Sequence, residues 1–403
     1  MKARWILVPL LLSLGAGGGA ACAGGSSPGT SEAAGEPRLA AGANTAFACD
    51  LYRRLAGGDG NLVLAPYSLS SALAMTWAGA RGATEREMAA VLHFPSDQTA
   101  LHAAQAALKA SLAQGGAAEL RIANRLWGQD GLGFRPAFLA TCRDRYAAGL
   151  EVLDFAADAG AARRTINAWI AKRTEGRIGE LLAPADVTTE TLLVLTNALV
   201  FQGRWERPFD AAATRALPFH LPGGDEASVA FMTGQGRFGF AALDGLDLLQ
   251  LPYAGGRLAC VVALPRERDG LPGLEARLAP DVLGDWLAAL RPADVTVILP
   301  RFSLASRFDL GRDLVAMGMA SAFGRGADFS GMCERCHLAM DKVVHEVRLA
   351  VDEAGTEGAA ATAVAMKRGG TVFRADHAFL ILVRDLETGA ILFMGRVADP
   401  RAS

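Results

Sequence analysis

The sequence predicts an α+β fold, because segments suited to helices and segments suited to strands both recur along it. Its 403 residues are 51% hydrophobic and 20% charged, so they can bury a substantial core. Lys and Arg number 40 against 42 Asp and Glu, and no dense basic cluster occurs. That balance argues against nucleic acid or another polyanion as a partner.

The N-terminus has the features of a targeting segment. Lys2 and Arg4 precede an apolar run at residues 5–14, which is too short to span a bilayer and is followed by small residues. We therefore predict a signal peptide at residues 1–21. The folded body is expected to be exported, either to the extracellular space or to the cell envelope.

Cys22 raises the question of a lipid anchor. The residues at 19–21 resemble a bacterial lipoprotein processing site, although glycine replaces the usual leucine-like residue at position 19. Two alternatives follow: a lipid on Cys22 that anchors the protein in a membrane such as the outer membrane, or plain signal cleavage. Residues 22–42 are rich in Gly, Ser, Ala, Pro and Glu and predict a flexible tether before a body at 43–403.

Helices and strands are both predicted within the body. Helices are predicted at residues 44–56, 68–79, 84–92, 98–113, 136–146, 160–173 and 274–290. Strands are predicted at residues 192–201, 248–251, 258–264, 295–299, 343–351, 379–383 and 391–396. Thr84 and Glu87 have the spacing of a capping box at the start of the third helix, and leucines recur at near-helical spacing in the last one.

Six cysteines occur, and besides Cys22 three of them permit an interpretation. Cys260 lies in an apolar run and is predicted to be a small buried hydrophobe. Cys333 and Cys336, followed by His337, match the attachment signature for c-type haem, and a haem-bearing redox protein is one hypothesis. A local disulfide or two free thiols are the alternatives that we prefer for an exported protein.

No catalytic or metal-binding pattern stands out. None of the six histidines lies in a His-x-x-x-His or nucleophile-elbow context. The paired glycines at 255–256 lack the Lys-Ser/Thr of a phosphate loop and are better explained by a turn between strands. We predict no metal, no cofactor and no enzymatic activity.

The run of small side chains at residues 353–365 is the most unusual feature of the sequence. Alternate residues of a strand point to opposite faces, so a segment that enters a finished sheet must suit both faces. Thr356 is the first residue on one face of such a strand, and Glu357 is the first on the other face. Glu357 is also the only charged residue of the run after Thr356. The segment can therefore insert without burying a charge deeply. Before insertion we expect it to be exposed and open to proteases.

Motifs spread over residues 44–400 resemble those of the serpin family. Besides the run of small residues, they lie at residues 61–68, 82–84, 197–205, 251–258, 299–302, 327–331, 343–345, 375–377 and 393–396. The resemblance implies one serpin domain at 43–403, with a large central mixed β-sheet, two further sheets and about eight to nine helices. It also implies a monomer with an exposed reactive-centre loop at 353–374.

The resemblance implies roles for four residues outside the loop. Ser68, Asn197 and His345 correspond to the serpin shutter, where short polar side chains under the central sheet exchange hydrogen bonds as strands part. Trp205 corresponds to the breach, where the loop first enters the sheet. The alternative is that the first three are hydrogen-bonded core groups and that the tryptophan only packs.

The function that the resemblance implies is inhibition of a serine protease by a suicide-substrate mechanism. The protease attacks the loop, an acyl-enzyme forms, and the freed arm inserts into the central sheet with the protease still attached. The hinge that inserts first comprises Glu353, Gly355, Thr356, Glu357, Gly358, Ala359, Ala360, Ala361 and Thr362.

The bond attacked by the protease lies within residues 367–370. The usual family register places it at Gly369–Gly370, but glycine offers no side chain to a specificity pocket. Arg368 suits the acidic pocket of a trypsin-like protease, so we prefer Arg368–Gly369, with Lys367–Arg368 second. The alternative is that both basic side chains only keep an exposed loop soluble.

A non-inhibitory binding or carrier protein with the same fold is the competing hypothesis. Gly358 stands where inhibitory relatives usually carry alanine, and only residues 371–376 separate the two glycines from His377, which shortens the loop. The hinge nevertheless has no proline and only one charge after Thr356. Inhibition is favoured on that ground.

Overall fold

The structure is a computed structural model that describes residues 31–114, 119–340, 342–356 and 370–401. Its α-helices are α1 (Ser31–Leu55), α2 (Pro66–Trp77), α3 (Gly82–Val91), α4 (Gln98–Ala113), α5 (Pro136–Tyr146), α6 (Ala159–Arg173), α7 (Leu271–Ala276), α8 (Pro280–Ala288), α9 (Gly311–Ala316) and α10 (Ala320–Phe323). Within these ranges, no helix is long and apolar enough to cross a bilayer.

The strands fall into two hydrogen-bonded sheets. They are β1 (Leu62–Leu64), β2 (Glu119–Gln129), β3 (Leu150–Leu153), β4 (Leu193–Arg204), β5 (Arg215–His220), β6 (Glu226–Leu243), β7 (Leu246–Pro252), β8 (Leu258–Pro265), β9 (Arg291–Pro300), β10 (Phe302–Asp309), β11 (Val344–Val351), β12 (Gly355–Thr356), β13 (Thr371–Arg374), β14 (Phe379–Asp385) and β15 (Ile391–Val397).

The six-stranded sheet is the central mixed sheet that the sequence predicts. Its order is β10-β11-β4-β2-β3, and β12 pairs with the end of β4. The pairs β11–β4 and β2–β3 are parallel, whereas β10–β11 and β2–β4 are antiparallel.

The nine-stranded sheet consists of two halves. Its order is β1-β15-β14-β8-β7-β6-β9-β13, with β5 paired to β6. The 18-residue strand β6 pairs with β5 over residues 226–231 and with β7 over residues 239–243, while β9 pairs with its middle, over residues 231–240. The long β6–β9 pair therefore joins the two further sheets that were predicted.

The two sheets face each other across an apolar layer. Phe201 of β4 packs edge to face on Tyr253, at 5.0 Å between ring centroids, and also lies 5.9 Å from Phe393 of β15. Leu126 and Trp127 of β2 point to opposite faces, so Leu126 joins the main core while Trp127 packs with α6 in a separate cluster. The main core therefore lies on one face of β2 and α6 packs against the other.

Two helical predictions differ from the structure. The helix predicted at 274–290 is divided into α7 and α8, because Pro280 disfavours helical backbone in the residue before it and starts α8. The prediction of a capping box at Thr84 and Glu87 is wrong. Thr84 Oγ1 accepts a hydrogen bond from the N–H of Asp328 (3.0 Å), and the carboxylate of Glu87 binds Ser321.

The first helix extends into the predicted tether. It begins at Ser31 rather than near residue 44, and Ala40 and Ala41 are buried. Alanine has the highest helix propensity and small side chains pack closely, so an Ala-rich segment suits a docked helix as well as a tether. Cys22 and the predicted signal peptide lie outside the described residues.

Candidate functional site

The parallel strands β4 and β11 are paired over a short stretch, residues 197–199 with residues 345–347. Continuing that register would place Val351, the last residue of β11, opposite Gly203. Thr356 occupies that place instead, because β12 pairs antiparallel with the end of β4. The chain therefore returns between β4 and β11. We call the boundary between these two strands the seam.

A tight turn at residues 352–355 makes this return. The carboxylate of Asp352 accepts hydrogen bonds from the N–H groups of Ala354 (2.9 Å) and Gly355 (3.1 Å). The N–H of Asp352 donates to the carbonyl of Gly355 (2.9 Å). Gly355 has a φ of 153°, and a Cβ there would overlap the carbonyl oxygen of Gly203. Glycine is therefore required at this position.

Trp205 and Tyr253 hold the returning chain. Their rings are stacked, with 4.7 Å between centroids. Trp205 donates from Nε1 to the carbonyl of Asp352 and from its backbone N–H to the carbonyl of Ala354, both at 2.9 Å. The hydroxyl of Tyr253 lies 2.8 Å from that of Thr356, which is completely buried. The predicted breach tryptophan thus contacts the first residues of the loop.

Glu353 is fixed by three contacts. Its carboxylate accepts a hydrogen bond from the hydroxyl of Thr214 (2.6 Å) and lies 3.4 Å from Nε of Arg301, and its carbonyl accepts from the N–H of Phe209 (2.8 Å). Residues 353–356 are all buried. The expectation of an exposed segment is therefore wrong for these four residues, because their polar groups find partners at the top of the seam.

Ser68, Asn197 and His345 form one hydrogen-bonded cluster beneath the seam. Nδ2 of Asn197 donates to Oγ of Ser68 (2.5 Å) and to Oδ1 of Asn124 (2.7 Å). Nδ1 of His345 lies 3.0 Å from Oδ1 of Asn197, and Nε2 accepts from the N–H of Ala65 (3.1 Å). The cluster connects α2 with β2, β4 and β11.

These bonds fix the protonation state of His345. Because Nε2 accepts a hydrogen bond, the proton is on Nδ1, which donates to Asn197 Oδ1. The imidazole is completely buried, and burial lowers the pKa of His345 to about 4. His345 is therefore neutral near pH 7, and its bond to Asn197 crosses the seam within the short paired stretch.

A cavity of about 310 Å³ lies at the other end of the seam. It is lined by residues 193–195 at the start of β4 and by His337, among others. Cys333 and Cys336, just before this histidine in the chain, form a disulfide. The structure thus has the local disulfide among the three alternatives, and neither sulfur remains for a thioether bond to haem.

Two further local predictions are confirmed. Cys260 is completely buried within β8, and burial raises the pKa of its thiol to about 12. Gly255 and Gly256, with φ of 92° and 68°, form the turn between β7 and β8. In the part of the chain that the structure describes, no group of three or more His, Cys, Asp or Glu side chains could hold a metal ion.

Most of the predicted loop lies outside the described residues. This applies to the hinge residues Glu357, Gly358, Ala359, Ala360, Ala361 and Thr362 and to Lys367, Arg368 and Gly369 at the candidate bonds. Gly370 is described and exposed, and β13 follows it and pairs in parallel with β9. The two ends of the loop are therefore fixed on different sheets.

Comparison with known proteins identifies the family. A family model described as Serpin (serine protease inhibitor) matches residues 42–400. The leukocyte elastase inhibitor of Sus scrofa is 40% identical over 373 residues, covering 89% of this chain and 98% of that protein. The chain belongs to the serpin family.

Solved serpin structures share the fold. Loop-inserted, cleaved ovalbumin is similar with a TM-score of 0.81 and 28% identity, covering 90% of this chain and 100% of that chain. Human thyroxine-binding globulin complexed with its ligand has the same TM-score and identity, covering 91% and 99%. The family is one of protease inhibitors rather than catalytic enzymes.

Sequence reasoning missed four residues of this serpin's site: Asn124, Tyr253, Thr214 and Arg301. Asn124 carried a signal, since in the sequence this polar residue alternates with the apolar Ile122 and Leu126. Tyr253 also carried one, because it lies in a motif that had served only to mark the family. Thr214 had none, because its contact with Glu353 joins residues 139 apart in the chain.

Proposed function

We propose that this serpin inhibits a serine protease by taking its own cleaved loop into the seam between β4 and β11. The protease attacks the loop, its serine is acylated, and the freed arm extends β12 down the seam with the protease attached. The observation that carries the proposal is β12 itself. It has the position, direction and pairing of the first two residues of an inserted strand.

The register of β12 sets the length of the inserted arm. Thr356 pairs antiparallel with Gly203, so continuing the strand would bring Met366 opposite Leu193, the first residue of β4. The arm would thus match β4 to its end. The candidate bonds within 367–370 would then be carried to the foot of the seam, where the 310 Å³ cavity lies.

The same register places the middle of the arm at the level where β4 and β11 are now paired. Residues 360–362 would come opposite residues 197–199, the positions that now pair with β11. Insertion past this level must therefore separate β11 from β4 and break the hydrogen bond between His345 and Asn197. This supports the assignment of these two residues to the shutter.

The proposal includes a trypsin-like target and cleavage at Arg368–Gly369. The guanidinium of Arg368 would pair with an acidic specificity pocket, which glycine cannot do. Lys367–Arg368 and Gly369–Gly370 are the alternatives. The 40% identity to a leukocyte elastase inhibitor supports inhibition, but it does not select the bond.

A non-inhibitory serpin is the second candidate. The observation that favours it is the likeness to thyroxine-binding globulin, a protein named for binding a small molecule. At 28% identity, this likeness is weaker than the 40% identity to an inhibitor. A carrier would be cleaved by the protease without trapping it.

Incubation with trypsin, followed by a denaturing gel and mass spectrometry, tests the proposal. We expect an SDS-stable covalent complex and a C-terminal fragment that begins at Gly369. Clean cleavage without a complex would favour the second candidate. A complex with a fragment that begins at Arg368 or Gly370 would still support trapping. The cleaved bond would then be Lys367–Arg368 or Gly369–Gly370.

A matched pair of hinge variants tests whether the arm inserts between β4 and β11 in this register. The side chain of Thr356 faces Tyr253, so even-numbered residues of an extended arm share that interior face. Ala360→Arg would bury a charge there, and Ala359→Arg would place the same charge on the opposite face. We expect the first variant to be cleaved without trapping and the second to retain most trapping. Equal trapping by both would contradict insertion in this register.

We further propose that the protein is exported and acts as a monomer. The support for export is the charged and apolar pattern before Cys22, and the monomer is what the resemblance to serpins implies. Cell fractionation and mass spectrometry of the mature N-terminus distinguish a lipid on Cys22 from plain cleavage. Light scattering measures the mass in solution, and a value twice that of one chain would contradict the monomer.

A further inference from the structure

The segment that connects α6 to β4 crosses the seam on the face of the central sheet that packs against α6. Its buried side chains form one cluster with Trp127 of β2 and Val344 of β11. In the sheet, β4 lies between β2 and β11, so these two residues are on opposite sides of the seam. We call residues 178–187 the covering segment, because they span the seam on this face.

One end of the covering segment is fixed to α6. Asn167 of α6 donates from Nδ2 to the carbonyl of Leu182 and accepts at Oδ1 from the N–H of the same residue, both at 2.9 Å. Arg163, also of α6, donates to that carbonyl (3.0 Å) and pairs with Glu180. Because α6 packs against Trp127, this end belongs to the β2 side of the seam.

The other end is fixed to β10 and to the start of β11 by Asp186. Its Oδ1 accepts a hydrogen bond from Nζ of Lys342 (2.8 Å), just before β11. Its Oδ2 accepts from Nη2 of Arg307 (3.0 Å), on β10, and from the N–H of Ala183 (2.8 Å). Arg307 also donates to the carbonyl of Leu181 (3.0 Å). The carboxylate thus holds the covering segment to the far side of the seam.

Separation of the two sides must disturb one of these attachments. An added strand would move β10 and β11 away from β4 by about 4.8 Å. Leu182 and Asp186 are only four residues apart, and residues 184–186 form a compact 3-10 turn. Leu182 is held by three hydrogen bonds and is buried, whereas the cations bound to Asp186 are partly exposed. Partly exposed ion pairs are weak, so those of Asp186 should break first.

We propose that Asp186 holds the seam closed from outside through Lys342 and Arg307, and that release of these ion pairs is a step in loop insertion. Asp186 is a positioning residue, since it lies away from the candidate cleavage bonds. Its contribution matters because β4 and β11 themselves pair only over residues 345–347 on the β11 side. The insertion step rests on the proposed function, whereas the closed seam does not.

Hydrogen exchange of the uncleaved protein tests the closed seam. Asp186→Asn removes the charge with little change in shape. Glu180→Gln is the matched control, because it makes the same change in the covering segment but breaks a pair with Arg163 that does not cross the seam. We expect exchange at residues 345–347 to be about threefold faster in Asp186→Asn than in the wild type. Glu180→Gln should match the wild type, since the three hydrogen bonds of Leu182 remain.

The kinetics of trypsin inactivation test the insertion step. At saturating inhibitor, the limiting rate of covalent trapping includes the movement of the arm into the sheet. Asp186→Asn should raise this rate about threefold, and Glu180→Gln should leave it unchanged. Lys342→Met should act like Asp186→Asn. Because both changes remove the same ion pair, the double variant should be little faster than either single variant.

Three results would overturn the proposal. Equal exchange at residues 345–347 in Asp186→Asn and Glu180→Gln would mean that Asp186 does not hold the seam. Faster exchange without a faster limiting rate would mean that its release is not a step in insertion. Multiplied effects of Asp186→Asn and Lys342→Met would mean that the two residues act independently. If the wild type forms no covalent complex, inhibition itself is wrong, and the exchange data alone decide whether Asp186 holds the seam closed.

Discussion

His345 couples the stability of the fold to pH at the scale of a single residue. Its pKa is about 4 in the folded protein and about 6.5 in an unfolded chain. Between these values the unfolded chain binds a proton that the folded protein does not bind. Stability is therefore lost as the pH falls from 6.5 towards 4, by about 1.4 kcal/mol per pH unit for each such histidine. His102 acts in the same direction.

We predict that the free energy of unfolding falls steadily between about pH 6.5 and pH 4, and that His345→Gln reduces the slope. Urea unfolding at several pH values measures both quantities. The slope is the informative quantity, because the substitution also changes stability at neutral pH. Equal slopes in the two proteins would mean that His345 does not remain neutral in the fold.

Gly355 is the residue whose substitution acts most directly on the hinge. A Cβ there would overlap the carbonyl oxygen of Gly203, so Gly355→Ala should displace residues 354–356 from the top of the seam. We expect docking of this segment to weaken by more than about 1 kcal/mol. Faster hydrogen exchange at residues 353–356 would measure this weaker docking. Gly284→Ala, where a Cβ meets open space in α8, is the matched control and should leave exchange unchanged.

At the scale of elements, the sequence predicts segments with strong local patterns and misses those set by tertiary contacts. The bounds of α4 and α5 agree with prediction because apolar spacing and turn signals coincide there. The strand β6 escaped prediction, since its Gly234, Gly236 and Gly239 break the apolar pattern. Their missing side chains make room for neighbouring groups: a Cβ on Gly234 would lie 2.9 Å from Phe209.

In the candidate site, too, some residues were predicted from the sequence and others were not. Family motifs supplied Ser68, Asn197, His345 and Trp205, all of which lie along the seam. The return of residues 353–356 into the seam was not predicted, because it depends on partners distant in the chain. Sequence periodicity contains no information about such contacts.

The disulfide between Cys333 and Cys336 should stabilise the segment at the foot of the seam. It closes a very short loop, so chain entropy limits its effect to about 2 kcal/mol. We predict that a thiol reductant lowers the free energy of unfolding by about that amount. Urea unfolding with and without the reductant measures it. The double variant Cys333→Ala/Cys336→Ala should not respond to the reductant, and an equal response would assign the effect to another cysteine.

For the whole molecule, the short pairing of β4 with β11 means that the described state does not use all of the pairing capacity of the central sheet. Residues 345–347 pair with only three residues of β4, whereas an inserted arm at 357–366 would replace that pairing and run along β4 from Gln202 to Leu193. Each added backbone hydrogen bond contributes about 1 kcal/mol, and the small side chains add little strain. The uncleaved protein should therefore be the less stable form.

We predict that cleavage within residues 367–370 raises the melting temperature on the order of 10 °C, because about ten added hydrogen bonds act on a domain of this size. Calorimetry before and after cleavage measures the shift. Cleaved Ala360→Arg serves as the control, because a charge on the interior face should prevent the arm from passing the level of Asn197. If the melting temperature rises in the wild type but not in the variant, the added stability comes from insertion of the arm between β4 and β11. An equal rise in both would mean that cleavage only relieves tension in the loop, and insertion in this register would be wrong.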